Sequence, residues 1–286
     1  MEGKLYVVGT PIGNLEDITL RASRILAEVD LVAAEDTRRS LQLLNHLGCP
    51  KTLVSYHEHN RREAGELVMR RLKEGAQIAL VTDAGMPCIS DPGWELVDAV
   101  RSAGIAVEMV PGPTAVATAV AASGMDSARF TFEGFIPRKG RERRERLDAV
   151  AARTEMAVLY EAPHRLERLL QELCERCPQR PMALCKDLTK RFEAVERGSV
   201  EAVLAGLTGR EILGEYVLVL GPWAGGGEPA SQELDPETLL LARRAAGDDK
   251  KEAVRQVTAL LHMKKREVYQ LALKIWADEG AGSGES

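Results

Sequence analysis

The first 123 residues alternate between short apolar runs and amphipathic stretches, and this alternation constrains the fold more than any other feature. The apolar runs, which predict strands, are 5–8, 31–34, 52–55, 78–81 and 107–110. Helical spacing follows each of them, over 18–28, 41–47, 62–73, 94–103 and 114–123. Strands that alternate with helices are typical of βαβ units around a mostly parallel sheet. We therefore predict an α/β domain over residues 1–123, with Asp17 capping the first helix.

A second α/β domain is predicted over residues 124–222. Its strand candidates are 130–133, 157–160, 182–186 and 216–220, and its helix candidates are 142–152, 165–176 and 200–205. Residues 222–231 are rich in glycine and proline, and we predict a linker over residues 223–235. Beyond it we expect a small helical domain, residues 236–278, with helices at 237–246, 250–262 and 265–276. Residues 279–286 are rich in glycine and serine, and we expect them to be disordered.

Bulk composition excludes several classes of protein. The formal net charge of −5 over 286 residues argues against a nucleic-acid binder that is basic all over, although it does not exclude local basic patches. No stretch approaches the roughly 20 apolar residues that span a bilayer, and the start lacks the apolar core of a signal peptide. Five cysteines do not suggest a disulfide framework. We expect a cytoplasmic protein.

Two loops rich in glycine and proline, residues 82–93 and 111–115, each follow an apolar run. In an open parallel sheet, the loops at the carboxyl ends of strands line the crevice where ligands bind. Glycines such as Gly85 and Gly112 let backbone approach a ligand closely. The loop after the first strand is neither a P-loop nor a Gly-x-Gly-x-x-Gly fingerprint. These loops predict a small molecule held largely by main-chain groups.

Eight segments taken together carry a more specific signal. They are LYVVGTPIGNLEDITL at 5–20, AEDTR at 34–38, SYHEHN at 55–60, the 82–93 loop, PGPTA at 111–115, FEGFIPRK at 132–139, YEAPHR at 160–165 and KDLTK at 186–190. In this order they resemble the bacterial 16S rRNA (cytidine-2′-O)-methyltransferases, which belong to the tetrapyrrole-methylase-like (class III) enzymes. The resemblance covers about residues 4–221, and the helical tail is also similar. Cys88 departs from it, because a smaller residue such as glycine is expected there.

The resemblance implies S-adenosylmethionine as the cofactor, bound in a cleft between two α/β domains. It also implies a homodimer. Carried over position by position, the cofactor contacts are Pro11, Asp83, Gly85, Met86, Thr114, Ala115 and Tyr160. We expect Asp91, in contrast, to cap the helix that follows its loop.

Methyl transfer to a ribose hydroxyl requires that the hydroxyl be oriented and its proton removed. Our first candidates for the base are Lys186, Glu35 and Glu133, while Arg38 and Arg165 are candidates for binding phosphate. Each of these side chains could instead belong to a structural ion pair. No metal is required for this chemistry, and we expect none. Cys174 and Cys177 have zinc-knuckle spacing without a second pair nearby, and His57 and His59 lack a further ligand.

A basic run at 138–146 is the main indication of an RNA substrate. It has six basic residues against two acidic ones, and its RNA-binding candidates are Arg138, Lys139, Arg141, Arg143 and Arg144. Clustered arginine and lysine is the electrostatic footprint of phosphate-backbone contact, although such a run can also be a solvated helix face. The helical tail adds further basic residues, whose alternative role is packing against a partner subunit or the second domain.

The preferred function is therefore methylation of a cytidine 2′-hydroxyl in the 16S rRNA of the small ribosomal subunit, in its decoding region, with S-adenosylmethionine as donor. One alternative keeps the cofactor and methylates a carbon of a tetrapyrrole ring. A second alternative is a non-catalytic RNA-binding factor for ribosome assembly. The basic run speaks against the first alternative, and the intact loops at 82–93 and 111–115 speak against the second.

Overall fold

The computed structural model describes residues 2–224, 236–245, 248–261, 263 and 265–277. The chain divides at residue 225 into two compact units. The first unit contains two five-stranded sheets, and the second contains helices. The predicted α/β class with two sheets and a helical appendage is confirmed. Among the described residues, each helix is too short or too polar to span a bilayer.

The first sheet is entirely parallel, with the order β3-β2-β4-β1-β5. Its strands are β1 (Lys4–Val8), β2 (Leu31–Ala34), β3 (Thr52–Ser55), β4 (Gln77–Val81) and β5 (Ala106–Val110). The helices that follow them are α1 (Leu20–Glu28), α2 (Thr37–His46), α3 (Arg61–Lys73), α4 (Trp94–Ser102) and α5 (Ala115–Ser123). Helices cover both faces of the sheet, which explains why its central strands read as continuous apolar runs.

Two helix starts differ from the predictions. Asp17 does not cap α1, because it ends a short 3₁₀ turn, Leu15–Asp17, and the Thr19 hydroxyl accepts from the Ala22 amide instead. The second helix begins at Thr37 rather than at residue 41, since the Asp36 carboxylate accepts from the Arg38 amide and fixes the start there. A short polar side chain one position before a helix satisfies an otherwise unpaired amide.

The second sheet is mixed, with the order β6-β7-β10-β8-β9. Its elements in chain order are β6 (Phe130–Phe135), α6 (Gly140–Ala152), β7 (Met156–Glu161), α7 (Pro163–Cys174), β8 (Pro181–Lys186), β9 (Ala194–Ser199), α8 (Val200–Leu207) and β10 (Tyr216–Leu220). Only the β6–β7 pair is parallel among the strand pairs of this sheet that the structure describes. The edge strand β9 was not predicted.

The two faces of the second sheet pack against different layers. One face lies under α6, α7 and α8, with Leu159, Leu184 and Leu218 at its centre. The other face packs against α5 of the first domain, where Val116 and Val120 contact the strands' opposite side chains. Since α5 starts directly after the loop of β5, this packing brings the loops of the first sheet against the second sheet.

Arg180 fastens three segments of the second domain together. Its side chain is 0% exposed, and its Nε donates to the carbonyl oxygen of Gly221 at 2.9 Å. Nη1 donates to the carbonyl of Val150 at 2.9 Å and Nη2 to that of Glu155 at 2.8 Å. A buried guanidinium is tolerated here because carbonyl oxygens satisfy its donors.

The second compact unit consists of three helices in its described residues, α9 (Pro236–Ala245), α10 (Lys250–Leu261) and α11 (Lys265–Ala277). They pack on one another around Leu240, Val254, Val257 and Val268. The predicted linker, apart from residues 223 and 224, and the predicted tail at 279–286 lie outside the described residues.

Candidate active site

The loops that follow β1, β4 and β5 meet at the carboxyl edge of the first sheet. The Thr10 amide donates to the Gly85 carbonyl at 2.9 Å, and the Gly85 amide donates back at 3.1 Å. Gly9 and Gly112 touch through their backbones: a Cβ on Gly9 would lie 2.7 Å from the Gly112 nitrogen, and a Cβ on Gly112 would lie 2.9 Å from the Gly9 carbonyl carbon. Side chains are therefore excluded at both positions, and the floor of the site is main chain.

A cavity of about 450 Å³ opens above this floor, between the loops and the second sheet. Its size falls in the range of small-molecule sites, roughly 300–1,000 Å³. The first domain contributes Ile12, Glu35, Arg39, Asp83, Ala84, Gly85, Met86, Ile89, Ser90, Asp91, Thr114 and Ala115. The second domain contributes Phe135, Tyr160, Glu161, Ala162, Pro163, Leu188, Glu215, Tyr216 and Val217.

The 82–93 loop has an unusual backbone. Positive φ angles occur at Gly85 (+88°), Cys88 (+71°), Ser90 (+66°) and Gly93 (+139°). Because the left-handed region favours glycine, the conformation of Cys88 gives a physical reason for expecting a smaller residue there. Two of the four residues other than glycine that have positive φ in the described part of the chain, Cys88 and Ser90, lie in this loop beside the cavity; the other two are Asp187 and Thr189. Strained backbone commonly occurs at functional sites.

Three carboxylates face the cavity from the first domain. Glu35 accepts a hydrogen bond from the Thr82 hydroxyl at 2.7 Å. Asp83 accepts from the Asp36 amide at 3.0 Å, and its other oxygen lies 3.5 Å from Nε of Arg39. Burial raises the pKa of Asp83 above its usual value, and the nearby Glu35 carboxylate adds to the rise.

Asp91 is the third carboxylate, and its predicted role as a helix cap is wrong. Helix α4 begins at Trp94, and its N-cap is Gly93, without a side-chain hydrogen bond. Because Pro92 and Gly93 separate Asp91 from the helix, its side chain lines the cavity instead. Burial raises the pKa of Asp91 from 3.8 to about 7, and the charge of Glu35 also raises it. A carboxyl group with a pKa near neutrality suits a general base.

The wall from the second domain carries an aromatic group and a buried acid. The Tyr160 ring makes edge contacts with Phe132 and Phe135, at centroid distances of 4.9 and 5.6 Å. Burial raises the pKa of Tyr160 to about 12, so the phenol stays neutral. The side chain of Glu161 is 0% exposed; its Oε1 lies 3.1 Å from Nε of Arg165 and accepts from the Ala162 amide at 2.9 Å.

The second oxygen of Glu161, Oε2, is buried without a hydrogen-bond partner in the described part of the chain. Burying a carboxylate oxygen unpaired is costly, so a donor supplied by a bound molecule would complete the site. S-adenosylmethionine carries such donors in its amino groups and ribose hydroxyls. Together with the main-chain floor and the size of the cavity, this orphaned oxygen shows that the residues present fit the cofactor that the sequence predicts.

The predicted cofactor contacts are brought together almost completely. Asp83, Gly85, Met86, Thr114, Ala115 and Tyr160 all line the cavity. Pro11 is buried behind it, and the neighbouring Ile12 provides the lining. Thr114 also caps α5, because its hydroxyl accepts from the Ala117 amide at 3.2 Å.

The three base candidates lie in different places. Glu35 lines the cavity. Glu133 is buried between Arg146 and Arg153, at 3.0 and 2.8 Å. Lys186 lines a separate cavity on the side of the second sheet that faces α6, α7 and α8. Leu184, two residues earlier in the same strand, lies on that face as well. The identity of the base stays a prediction, and these positions favour Glu35 together with Asp91.

The predicted RNA-binding arginines also separate into groups. Arg38 pairs with Asp36 in its own helical turn, at 2.7 Å. Arg143 is only 2% exposed and donates to the Pro137 carbonyl and to Glu172, so a role in direct contact with an extended RNA surface does not fit it. Arg165 is half-buried beside Glu161. Among the RNA-binding candidates of the basic run, the exposed side chains are those of Arg138, Lys139, Arg141 and Arg144.

Sequence reasoning missed Arg39, Asp91 and Leu188 as residues that line the cleft. It included Glu161 only as one of several polar side chains on the loops near the cleft, and the structure places this side chain in the lining. Within the described residues, the structure contains no group of three or more His, Cys, Asp or Glu side chains arranged for a metal.

A parallel sheet joined to a mixed sheet, with a cleft whose floor is main chain, defines an α/β protein that binds a small molecule between its two sheets. The family model of the tetrapyrrole (corrin/porphyrin) methylases matches residues 4–204, and the chain belongs to this family. The predictions that it is an enzyme of the methyltransferase class and that its cofactor is S-adenosylmethionine are confirmed by this membership.

Two curated relatives are similar over most of their length. "Ribosomal RNA small subunit methyltransferase I" of Halalkalibacterium halodurans is 42% identical, and the match covers 94% of each chain. The protein of the same name from Thermotoga maritima is 44% identical, over 76% of this chain and 98% of the relative. Among solved structures, a uroporphyrin-III-C-methyltransferase from Thermus thermophilus superposes with a TM-score of 0.57 at 27% identity, over 77% of this chain and 94% of that one.

Proposed function

We propose that this enzyme methylates the 2′-hydroxyl of a cytidine in 16S rRNA of the small ribosomal subunit, in the decoding region. The observation that carries the proposal is the 42% identity, over 94% of both chains, to a relative named as a small-subunit rRNA methyltransferase. Exposed basic side chains at the start of α6 and just before it support an anionic acceptor; they are Arg138, Lys139, Arg141 and Arg144.

The residues of the cleft have distinct tasks in this reaction. When bound, S-adenosylmethionine supplies an electrophilic methyl group on its sulfonium. The backbone of the Gly85–Met86 and Thr114–Ala115 segments forms the surface on which the donor would be held. Holding donor and acceptor in line removes much of the entropic barrier to transfer.

Removal of the hydroxyl proton falls to a carboxylate at the first-domain side of the cleft. Asp91 takes up the proton at a pKa of about 7, where its basic form is populated at neutral pH. Glu35 lies close enough to raise the pKa of Asp91, and its hydrogen bond from Thr82 fixes its orientation. Tyr160 and Phe135 exclude water from the opposite wall.

Mass mapping of modified nucleotides tests the acceptor. 16S rRNA from cells with and without the gene is digested and compared by mass spectrometry. We expect one cytidine to lose 14 Da, the mass of a methylene group, only when the gene is absent; an unchanged map would contradict the proposal. Complementation with Asp91→Asn, matched by the exposed Asp98→Asn on α4, shows whether the methylation depends on the proposed base.

The tetrapyrrole alternative has one supporting observation, the TM-score of 0.57 to a uroporphyrin-III-C-methyltransferase at 27% identity. Incubation of the purified enzyme with labelled cofactor and either small subunits or a porphyrinoid separates the two acceptors. Calorimetric titration with the cofactor tests the remaining alternative, a non-catalytic RNA-binding factor, because that protein would show no cofactor uptake. We also infer that the enzyme is a cytoplasmic homodimer that needs no metal; light scattering and activity in chelator test the last two properties.

A further inference from the structure

A separate cavity of about 290 Å³ is lined by four arginines and one histidine. They are Arg138, Arg143, Arg165, Arg168 and His164. His164 and Arg168 are four residues apart on α7, so they lie on one face of that helix. Arg138 comes from the segment between β6 and α6. We call this group the arginine pocket.

The floor of the arginine pocket is held rigidly. Nη1 of Arg143 donates to the Pro137 carbonyl at 2.8 Å, and its Nε donates to Glu172 at 2.9 Å. Nη2 of Arg165 donates to the Ile136 carbonyl at 2.5 Å. These bonds fix both guanidinium groups before any ligand arrives, which lowers the entropic cost of binding one.

Positive charge is in surplus at the arginine pocket. The carboxylates that contact its arginines are Glu172, which pairs with Arg143 and Arg168, and Glu161, which pairs with Arg165. Two carboxylates thus face four guanidinium groups. Arg168 keeps 61% of its side chain exposed, and Arg138 has no ion-pair partner among the described residues. The pocket therefore suits an anion, and guanidinium groups favour the paired oxygens of phosphate.

We propose that the arginine pocket binds a phosphodiester group of the acceptor RNA strand, an inference that rests on the proposed function. Its position supports this assignment, because Arg165 pairs with Glu161 and Glu161 lines the active-site cavity. One ion pair thus separates the phosphate site from the cleft. A strand anchored there presents a neighbouring ribose to the cleft. Arg143 is buried and paired, so it forms the floor of the pocket without contacting the strand.

The test uses the full-length enzyme with His164→Ala and Arg168→Gln combined, since both side chains are exposed. The probe is a cytidine-rich single-stranded RNA oligonucleotide, followed by fluorescence anisotropy over a range of salt concentrations. We expect the double variant to bind roughly tenfold more weakly. Its slope of log affinity against log salt should be smaller by about 0.7 for each phosphate group that the variant no longer neutralises. Affinity for S-adenosylhomocysteine, measured by calorimetry, should not change.

The matched control is Arg101→Gln, which removes one positive charge from an exposed position on α4. Equal RNA affinity and salt slope in the double variant and in this control would overturn the arginine pocket as an RNA site. Binding of inorganic phosphate in the pocket without any effect on the affinity for RNA would also overturn it. Failure of the proposed function would look different, because the unmodified enzyme itself would then methylate no rRNA.

Discussion

At the scale of single residues, Asp91 links the chemistry of the cleft to the stability of the fold. Its pKa is about 7 in the folded protein and 3.8 when unperturbed. Between these values the folded state holds a proton that the unfolded state has lost, so the free energy of unfolding decreases as pH rises from about 4 to about 7. We expect Asp91→Asn to abolish this decrease, because the amide does not titrate.

Urea unfolding of the cofactor-free enzyme at several pH values measures the effect. The exposed Asp98→Asn on α4 removes a carboxylate without burial and should leave the pH profile of the parent intact. Identical profiles for the parent and Asp91→Asn would show that Asp91 does not titrate near neutrality.

Gly112 makes a second prediction at this scale. In Gly112→Ala the new Cβ would lie 2.9 Å from the carbonyl carbon and oxygen of Gly9, so the two loops must move apart. We expect affinity for S-adenosylhomocysteine to fall more than tenfold, with a loss of roughly 1–3 kcal/mol in folding stability. Calorimetry and urea unfolding measure the two effects. Gly65→Ala is the control: its Cβ would meet Tyr56 at an ordinary 3.9 Å, so binding should be preserved.

At the scale of elements, the buried strands were predictable and the edges were not. The strands β2 and β10 are apolar throughout, and β4 is apolar after Gln77, because both of their faces are covered. Strand β9, with the sequence AVERGS, lies at the edge of its sheet and carries exposed polar side chains, so no apolar run marks it. The sequence also did not predict which strands of the second sheet pair parallel and which pair antiparallel, because this depends on which distant strands become neighbours.

The burial of Arg180 between elements could not be predicted from the sequence, because arginine is rarely fully buried. Replacement by methionine keeps the volume but leaves the carbonyls of Val150, Glu155 and Gly221 unpaired. We expect Arg180→Met to lower the free energy of unfolding by about 3–5 kcal/mol. Urea unfolding compares it with Arg144→Met on the exposed side of α6. A loss below about 1 kcal/mol, the size expected for a surface change, would contradict the role given to this guanidinium.

At the scale of the whole molecule, loop positions of the site were predictable from sequence because each loop directly follows a strand. The loops that carry Asp83, Gly85 and Thr114 were predicted in this way, while the choice of these residues as contacts came from the resemblance to the family; all three line the cavity. Lys186 also ends a strand, but its side chain lies on the other face of the sheet. Strand register decides that face, and register is set by tertiary pairing with Tyr216 and Ala194 rather than by local sequence.

The division at residue 225 predicts that the first unit is autonomous. The relative from Thermotoga maritima aligns over 218 residues, which is 98% of its length and 76% of this chain. We expect a fragment of residues 1–224 to unfold cooperatively and to bind S-adenosylhomocysteine within about threefold of the full chain, a difference below about 1 kcal/mol. Thermal unfolding and calorimetry measure this. A fragment that is unfolded, or folded but unable to bind, would show that the C-terminal helices are needed.

The backbone contact between Gly9 and Gly112 helps to explain how one fold can be used with chemically different methyl acceptors. A platform made of peptide groups cannot be retuned by exchanging side chains, since adding one methyl group disrupts it. The opposite wall includes replaceable side chains such as Phe135. Natural variation can therefore diversify acceptors on that wall while the donor platform stays invariant, and laboratory libraries aimed at new acceptors should be confined to it.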